Sequence, residues 1–400
     1  MITGLDHYKN KWNINTDAAV KPGLQAITAA LAELNNPHKK GNYIHIAGTN
    51  GKGSTAAFLA AILRAHGMSV GTFFSPCIED LHDQIQLNGE PVSGQELDAI
   101  MENLSSLKTP LTDFELLTAA AFSFFESKAP DFAIIEAGMG GRFDSTNVIN
   151  PTISIIPSIS MEHTNFLGTT IEEISWHKAG IIKKWKPVVI GNLPENAKGA
   201  VVQVANDMHA EIIEAAEPVE LEMKLKGKHQ KQNAALALEA AKELLQLKFD
   251  QEKADKALKT AVLPNRFEEI FPNLIFDGAH NEASAKALAE TAKEIYPDKA
   301  IHFVMGILKD KDYQAVLSQL ETVSGHFTFI DFENERALPA KTLFSKNRSK
   351  IKTIQNQYDI LPVTSKNEVT IVTGSLYLLA ILRNSDFSMF ENYKQEKNRV

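Results

Sequence analysis

Four hundred residues exceed one typical core, so two domains are expected, and 44% apolar with 22% charged residues describe a globular chain. A net charge of −8 supplies no excess of cations to displace counterions, which argues against nucleic acid and anionic membrane as partners. One cysteine, Cys77, excludes an internal disulfide framework and, with no signal-like N-terminus and no run of about 18 apolar residues, points to a cytoplasmic protein.

Residues 1–42 read as a helical lead-in: Val20-Lys-Pro-Gly23 breaks the chain, and Leu24, Ile27, Leu31 and Leu34 then recur at helical spacing before Asn35-Asn36-Pro37. A β-rich run, Tyr43 to Ala47, feeds a turn holding Gly48, Gly51 and Gly53, with Lys52 inside it and Ser54 and Thr55 after it, before an alanine-rich helix. Glycines let successive N–H groups face one concavity, and the helix start adds its free N–H groups and positive dipole end. A lysine there can reach outer phosphates and a hydroxyl can ligate Mg²⁺, which is the layout of a nucleoside triphosphate cradle. The general expression G-x-x-x-x-G-K-[ST] is not met, since position 46 is Ile and position 53 is Gly. An ordinary glycine-rich βα turn is the alternative.

The strand expected over Ser69–Ser75, separated from the first by a helix, completes a right-handed βαβ unit. Residues 76–92 read as a loop reaching over the site. Ser93-Gly-Gln-Glu96 is a capping box opening a helix to about Leu104, and a further helix spans about Asp113 to Ser127 with Phe114, Leu117, Ala121, Phe124 and Phe125 on one side. Those aromatics read as core, with Phe114 the exception at the helix's open end. Asp131-Phe-Ala-Ile-Ile-Glu136 is a buried strand ending in a carboxylate, placed where a Mg²⁺-orienting acid belongs; a solvated strand end is the alternative. Another strand, Ile153–Ile159, leads to His163, which alone reads as a satisfied polar residue. Lys178 shares an apolar helix stripe with Ile171, Ile174 and Ile182, so it either snorkels or has an anionic partner or a modification. A strand at Pro187–Ile190, a helix over 194–208, a strand over 211–214 and a helix from Ala234 to Leu245 follow.

Val262-Leu-Pro-Asn-Arg-Phe267 marks the boundary: domain 1–262, linker 263–267, domain 268–400. Beyond it come strands at 273–276, 300–305, 326–331 and 368–373, with helices at 282–295 and after Ser375, and a polar tail over 386–400. The expected fold class is α/β: a large P-loop domain with a mostly parallel sheet, plus a smaller C-terminal Rossmann-like α/β domain.

With these motifs the sequence resembles the folylpolyglutamate synthase and dihydrofolate synthase family, a branch of the Mur-type ATP-dependent amide ligases. The resemblance is carried by Gly48-Thr-Asn-Gly-Lys-Gly-Ser54, Glu136-Ala-Gly-Met-Gly-Gly-Arg-Phe-Asp-Ser-Thr-Asn147, His163 with Leu167-Gly168, Lys178-Ala-Gly-Ile-Ile182, Asp277-Gly-Ala-His-Asn281 and Lys309-Asp-Lys-Asp312. The family's late hydroxyl accounts for the failed P-loop expression. The resemblance implies amide formation between a dihydropteroate or reduced folate carboxylate and L-glutamate through an acyl phosphate, with ATP and two Mg²⁺ as cofactors. It implies that Gly48, Thr49, Asn50, Gly51, Lys52, Gly53, Ser54 and Thr55, with Asn233 and Arg266, hold the nucleotide's phosphates, and Asp277 its ribose. Ser54, Ser75 and Glu136 would bind one metal; Glu136, His163 and a carbamate on Lys178 would bind the other. Lys52, Lys178 and His280 would be catalytic. His280 and Ser375 would lie near glutamate, and Phe114 and Asp144 at the pterin end. It further implies a monomer whose small domain closes over the large one with ATP between them.

Several positions depart from the family pattern. Asp83-Gln84 stands where relatives show Glu-Arg, so a basic substrate contact is missing; Glu162 replaces an Asp, His177 replaces a Glu, and the region around 209–228 is shorter. Two further readings stay open: a Mur-type ligase acting on a non-folate acid, and a nucleotide-binding switch without ligation. The absence of an Asn-Lys-x-Asp guanine-reading motif disfavours the switch.

Overall fold

The computed structural model describes residues 4–17, 21–215, 217–356 and 367–384. Val20 of the lead-in and the tail over 386–400 lie outside them. The chain divides into two compact units, Met1–Lys224 with His229–Val262, and Leu225–Lys228 with Leu263–Val400.

The first unit is built on eight strands: β1 (Tyr43–Ile46), β2 (Val70–Phe73), β3 (Ile85–Leu87), β4 (Glu90–Pro91), β5 (Phe132–Glu136), β6 (Ile153–Ile156), β7 (Val188–Ile190) and β8 (Ile212–Glu214). Their order across the sheet is β8-β7-β6-β1-β5-β2-β3-β4. Pairing is parallel from β8 to β2, and antiparallel where β3 and β4 extend the sheet. β1, β2 and β6 are buried along their whole length, the pattern of parallel strands covered by helices on both faces. The helices include α1 (Leu5–Trp12), α2 (Gln25–Glu33), α3 (Lys52–Ala65), α4 (Gly94–Leu104), α5 (Asp113–Lys128), α6 (Ile171–Ala179), α7 (Glu195–Asp207), α8 (Lys228–Leu245) and α9 (Gln251–Thr260). The capping box of α4 is present: Glu96 N donates to Ser93 Oγ (3.3 Å) and Ser93 N to Glu96 Oε2 (2.9 Å). Residues 76–92 are not all loop, because β3 and β4 add a ribbon there. Asp83 organises the turn before it, accepting N–H groups from Ile78 (2.8 Å), Glu79 (2.5 Å) and Asp80 (3.2 Å). α8 starts at Lys228 rather than Ala234, which puts Asn233 inside a helix.

The second unit holds β9 (Glu268–Phe271), β10 (Leu274–Phe276), β11 (Ala300–Met305), β12 (His326–Asp331), β13 (Ile351–Asn356) and β14 (Glu368–Thr373), in the order β9-β10-β14-β11-β12-β13. All pairs are parallel except β9–β10. Its helices are α10 (Glu282–Ile295), α11 (Tyr313–Leu320), α12 (Ala340–Lys346) and α13 (Leu376–Asn384). One apolar cluster packs Ile275, Phe303, Phe327 and Ile371 against α10 and α11 residues; the other packs Phe276, Val304, Ile330 and Val372 against Leu378 and Leu379 of α13. Alternation of side chains along each strand produces these two faces. No helix among the described residues is long and apolar enough to cross a membrane.

Candidate active site

Parallel strands deliver their loops to one end of a sheet, and in the first unit four neighbouring strands do so. Ile46 is the register partner of both Glu136 and Ile155, and Phe73 of Ile135, so the segments after β1, β2, β5 and β6 emerge together. After β1 the backbone turns at Gly51, whose φ of 84° is left-handed, and α3 begins at Lys52. The first-turn N–H groups of a helix have no intrahelical acceptor, so they face outward from this loop. The glycines are required by closeness as well as conformation: a Cβ at Gly48 would fall 3.1 Å from Ser158 O, and one at Gly51 2.3 Å from Asn233 Oδ1. Asn233 is itself buried and held by Gln230 Oε1, to which its Nδ2 donates at 3.1 Å. Such a cradle of N–H groups, closed to side chains, fits a polyphosphate.

The loop is braced from β6. Thr49 N donates to Ser158 O (2.9 Å), Asn50 N to Ser158 Oγ (2.9 Å), and Thr49 Oγ1 to Ser160 O (3.1 Å). Ser158 and Ser160 carry no sequence motif of their own. Lys52 Nζ donates to Gly48 O (3.2 Å) and Thr49 O (3.3 Å) and lies 3.7 Å from Glu136 Oε1. Glu136, only 5% exposed, ends β5 beside the loop, and the buried hydroxyls of Ser54 and Thr55 follow Lys52. Gly53 belongs to the same first turn, and Ser75 follows β2 at the same sheet end. Oxygen donors from Ser54, Ser75 and Glu136 are the kind a hard divalent cation takes.

Lys178, on the last turn of α6, is 2% exposed. Burial, and then the like charge of Lys52, lower its pKa to about 7, against the pull of Glu162 and Asp144. His163 has a left-handed φ of 52°, and its Nε2 is 3.6 Å from Glu162 Oε1. Gly141 lets the segment after β5 run under α6, since a Cβ there would sit 2.9 Å from both His177 O and Lys178 O. The same segment carries Asp144, which accepts from Met139 N (2.8 Å), Thr146 N (3.0 Å) and Thr146 Oγ1 (2.6 Å), and burial raises its pKa. Phe114, half-buried, stacks on Phe73 at 5.9 Å and fills the space over Gly138 beside Asp144. Under Asp144 lies His45, fully buried on β1, whose Nε2 is 2.9 Å from Thr146 Oγ1. Because that hydroxyl gives its proton to Asp144, it accepts from His45, which fixes a neutral Nε2–H imidazole with a bare, unpartnered Nδ1. Burial correspondingly lowers the pKa of His45 to about 3.

The second unit gathers its candidates at the carboxyl ends of the adjacent strands β10 and β14. Asp277 follows β10 and accepts from Phe267 N and Ala279 N, both at 2.9 Å; burial raises its pKa while Arg266 opposes the rise. A Cβ on Gly278 would sit 2.6 Å from Arg266 Nη1, so the guanidinium lies against this turn. His280 Nδ1 is 2.8 Å from Gly278 O, and Gly374, before the buried Ser375, donates its N–H to Ala279 O at 3.0 Å.

The Mur ligase middle domain matches residues 46–215, and the Mur ligase glutamate ligase domain matches residues 265–376. The dihydrofolate synthase/folylpolyglutamate synthase of Bacillus subtilis is 37% identical over 410 residues, covering 91% of this chain and 95% of the relative. The solved Mycobacterium tuberculosis folylpolyglutamate synthase complexed with ADP and AMPPCP superposes with a TM-score of 0.82 at 27% identity, over 90% of this chain and 95% of that one. The bifunctional folylpolyglutamate synthase/dihydrofolate synthase of Yersinia pestis, complexed with AMPPNP and Mn, gives 0.83 at 25% identity, over 94% of this chain and 97% of that one. With both domains matched in order and the homology running nearly end to end, the chain belongs to the dihydrofolate synthase/folylpolyglutamate synthase family of Mur-type ligases.

Proposed function

We propose that this chain joins L-glutamate to the carboxylate of a dihydropteroate or reduced folate, with ATP first converting that carboxylate to an acyl phosphate. The observation that carries the reading is the glycine-lined loop with Lys52 set 3.7 Å from the buried Glu136, in a chain of this family. Lys52 and the N–H groups of 48–55 hold the β- and γ-phosphates, where they counter charge gathering on the transferring phosphoryl group. Asn233 and Arg266 add phosphate contacts, and Asp277 accepts from the ribose. Ser54, Ser75 and Glu136 would hold one Mg²⁺, and Glu136, His163 and a carbamate on Lys178 a second. Bound Mg²⁺ supplies charge neutralisation at the phosphates.

The carbamate rests on the burial of Lys178. A dry site disfavours the ammonium and leaves the neutral amine, which attacks CO₂ with formation of an N–C bond and loss of one N–H proton. The product is an anion able to face a metal. Asp144 and Phe114 take the pterin end, and His280 and Ser375 the glutamate. The chain works as a cytoplasmic monomer of two domains, 1–262 and 268–400, joined by the linker 263–267.

One observation favours a different acid acceptor. Gln84, standing where the family pattern has a basic residue, is buried and donates its Nε2 to Phe74 O at 3.0 Å, so it offers no cation to a substrate. The test is ADP release dependent on L-glutamate, with dihydropteroate and then with tetrahydrofolate. Amide product with either acid is expected. Glutamate-dependent turnover on another acid alone would leave ligation with a changed acceptor, and ATP binding without amide would leave only a nucleotide-binding protein.

A further inference from the structure

Far from the loops that carry Asp277 and Ser375, the other end of the second sheet bears a polar cluster on the α13 face. Glu368 and Ser375 lie seven positions apart along β14 and its extension, about 20 Å at the usual strand rise. His302 on β11 and His326 on β12 are register partners, and their rings stack 3.8 Å apart at an interplanar angle of 7°. Glu368 on β14 pairs with Ala300, one step along β11 on the same face as His302. The alanine methyl is small enough for the Glu368 side chain to pass over β11, and its Oε1 reaches His326 Nδ1 at 3.0 Å. Ligand atoms of all three residues lie within 4.8 Å of one another, and each residue is half-buried.

We propose that His302, His326 and Glu368 form a binding site for a first-row divalent transition ion, with Zn²⁺ the representative occupant. Two imidazoles and one carboxylate are the donors such an ion prefers, whereas Mg²⁺ and Ca²⁺ take oxygen. The outer shell is in place: His302 Nε2 is 2.8 Å from Thr328 Oγ1, which is 2.9 Å from Thr353 Oγ1, so the ring is oriented through one nitrogen. Its other nitrogen, Nδ1, has only a long contact to Thr370 Oγ1, at 3.5 Å. Three protein ligands leave a fourth, open position for water. The ion would tie β14, β11 and β12 together, three adjacent strands of one sheet, and so act on the stability of the second unit without entering the ligation chemistry.

Co²⁺ is the probe, titrated into the full chain in excess Mg²⁺ and read by its visible d–d absorption. One ion per chain, displaced by Zn²⁺, is expected. His326→Gln should weaken binding by more than about a hundredfold, beyond the loss of an outer-shell partner, and Glu368→Gln by about tenfold. Circular dichroism checks the fold of each variant; should His326→Gln not fold, the near-isosteric Glu368→Gln decides. His163→Gln should keep the absorption. The proposal is overturned if the wild-type chain shows no such band, if Glu368→Gln binds as the wild type does, or if the band disappears in His163→Gln.

Discussion

Two buried titratable side chains in the first unit do opposite things. Lys178 has an amine that burial makes reactive, and in our proposal its carbamate faces metal. Lys178→Ala is therefore expected to lower turnover at least about a hundredfold, the cost of losing one major electrostatic group, while calorimetric ATP affinity changes little. Removing CO₂ from the buffer should lower wild-type activity and bicarbonate restore it; a rate indifferent to both would end the carbamate assignment. His45 is inert, and its effect is on stability. Its folded pKa of about 3 lies below the unfolded value of about 6.5, so the unfolded chain takes up a proton that the native one refuses. Stability from this residue is complete above about pH 6.5 and is lost as pH falls toward 3, about 2 kcal/mol by pH 5. All three tryptophans, Trp12, Trp176 and Trp185, lie in the first unit, so their fluorescence follows its unfolding alone. His45→Gln keeps a donor for Thr146 and should flatten the decline in urea midpoint between pH 7 and pH 5.

Elements decide which glycines are replaceable. Gly51 combines a left-handed φ of 84° with a Cβ position 2.3 Å from Asn233 Oδ1, whereas Gly199 in α7 has nothing within 4 Å. Gly51→Ala should cost about 1–2 kcal/mol in backbone strain alone and, by displacing the loop, weaken ATP binding more than about tenfold. Gly199→Ala should raise stability by about 0.5–1 kcal/mol, read by the same fluorescence. Elements were legible in the sequence where one local signal was strong. The apolar run Phe132–Ile135, the Ser93–Glu96 box and the loop 48–54 each state their own conformation. Others were not. Ile85–Leu87 and Ile351–Asn356 are short or mostly polar, and a partner strand rather than local propensity makes them β. The start of α8 was hidden because Lys228 to Asn233 are polar throughout, and Asn233 faces Gly51 only through tertiary packing. At the candidate site the glycines, Lys52 and Glu136 stood out, while Ser158 and Ser160, which position Thr49 and Asn50, resemble any serines after a strand.

The monomer we propose carries on one chain every group its reaction uses, Lys52 and Arg266 among them. A mixture of Lys52→Ala and Arg266→Ala chains should accordingly stay inactive, since no single monomer in it has both groups; recovered glutamate-dependent ADP release would show that sites are shared between chains. The outermost strands of the two sheets also treat neighbouring molecules differently. In the first sheet the last strand is only Glu90–Pro91, where a charge and a residue without an N–H leave little for an incoming chain to pair with. In the second it is Ile351–Asn356, six residues long, with Ile351 59% and Ile354 44% exposed. Among the described residues it is the longest of the four outermost strands of these sheets, so strand recruitment, and with it the onset of aggregation in a heated or crowded preparation, should favour it, and a single lysine in place of Ile354 should blunt it.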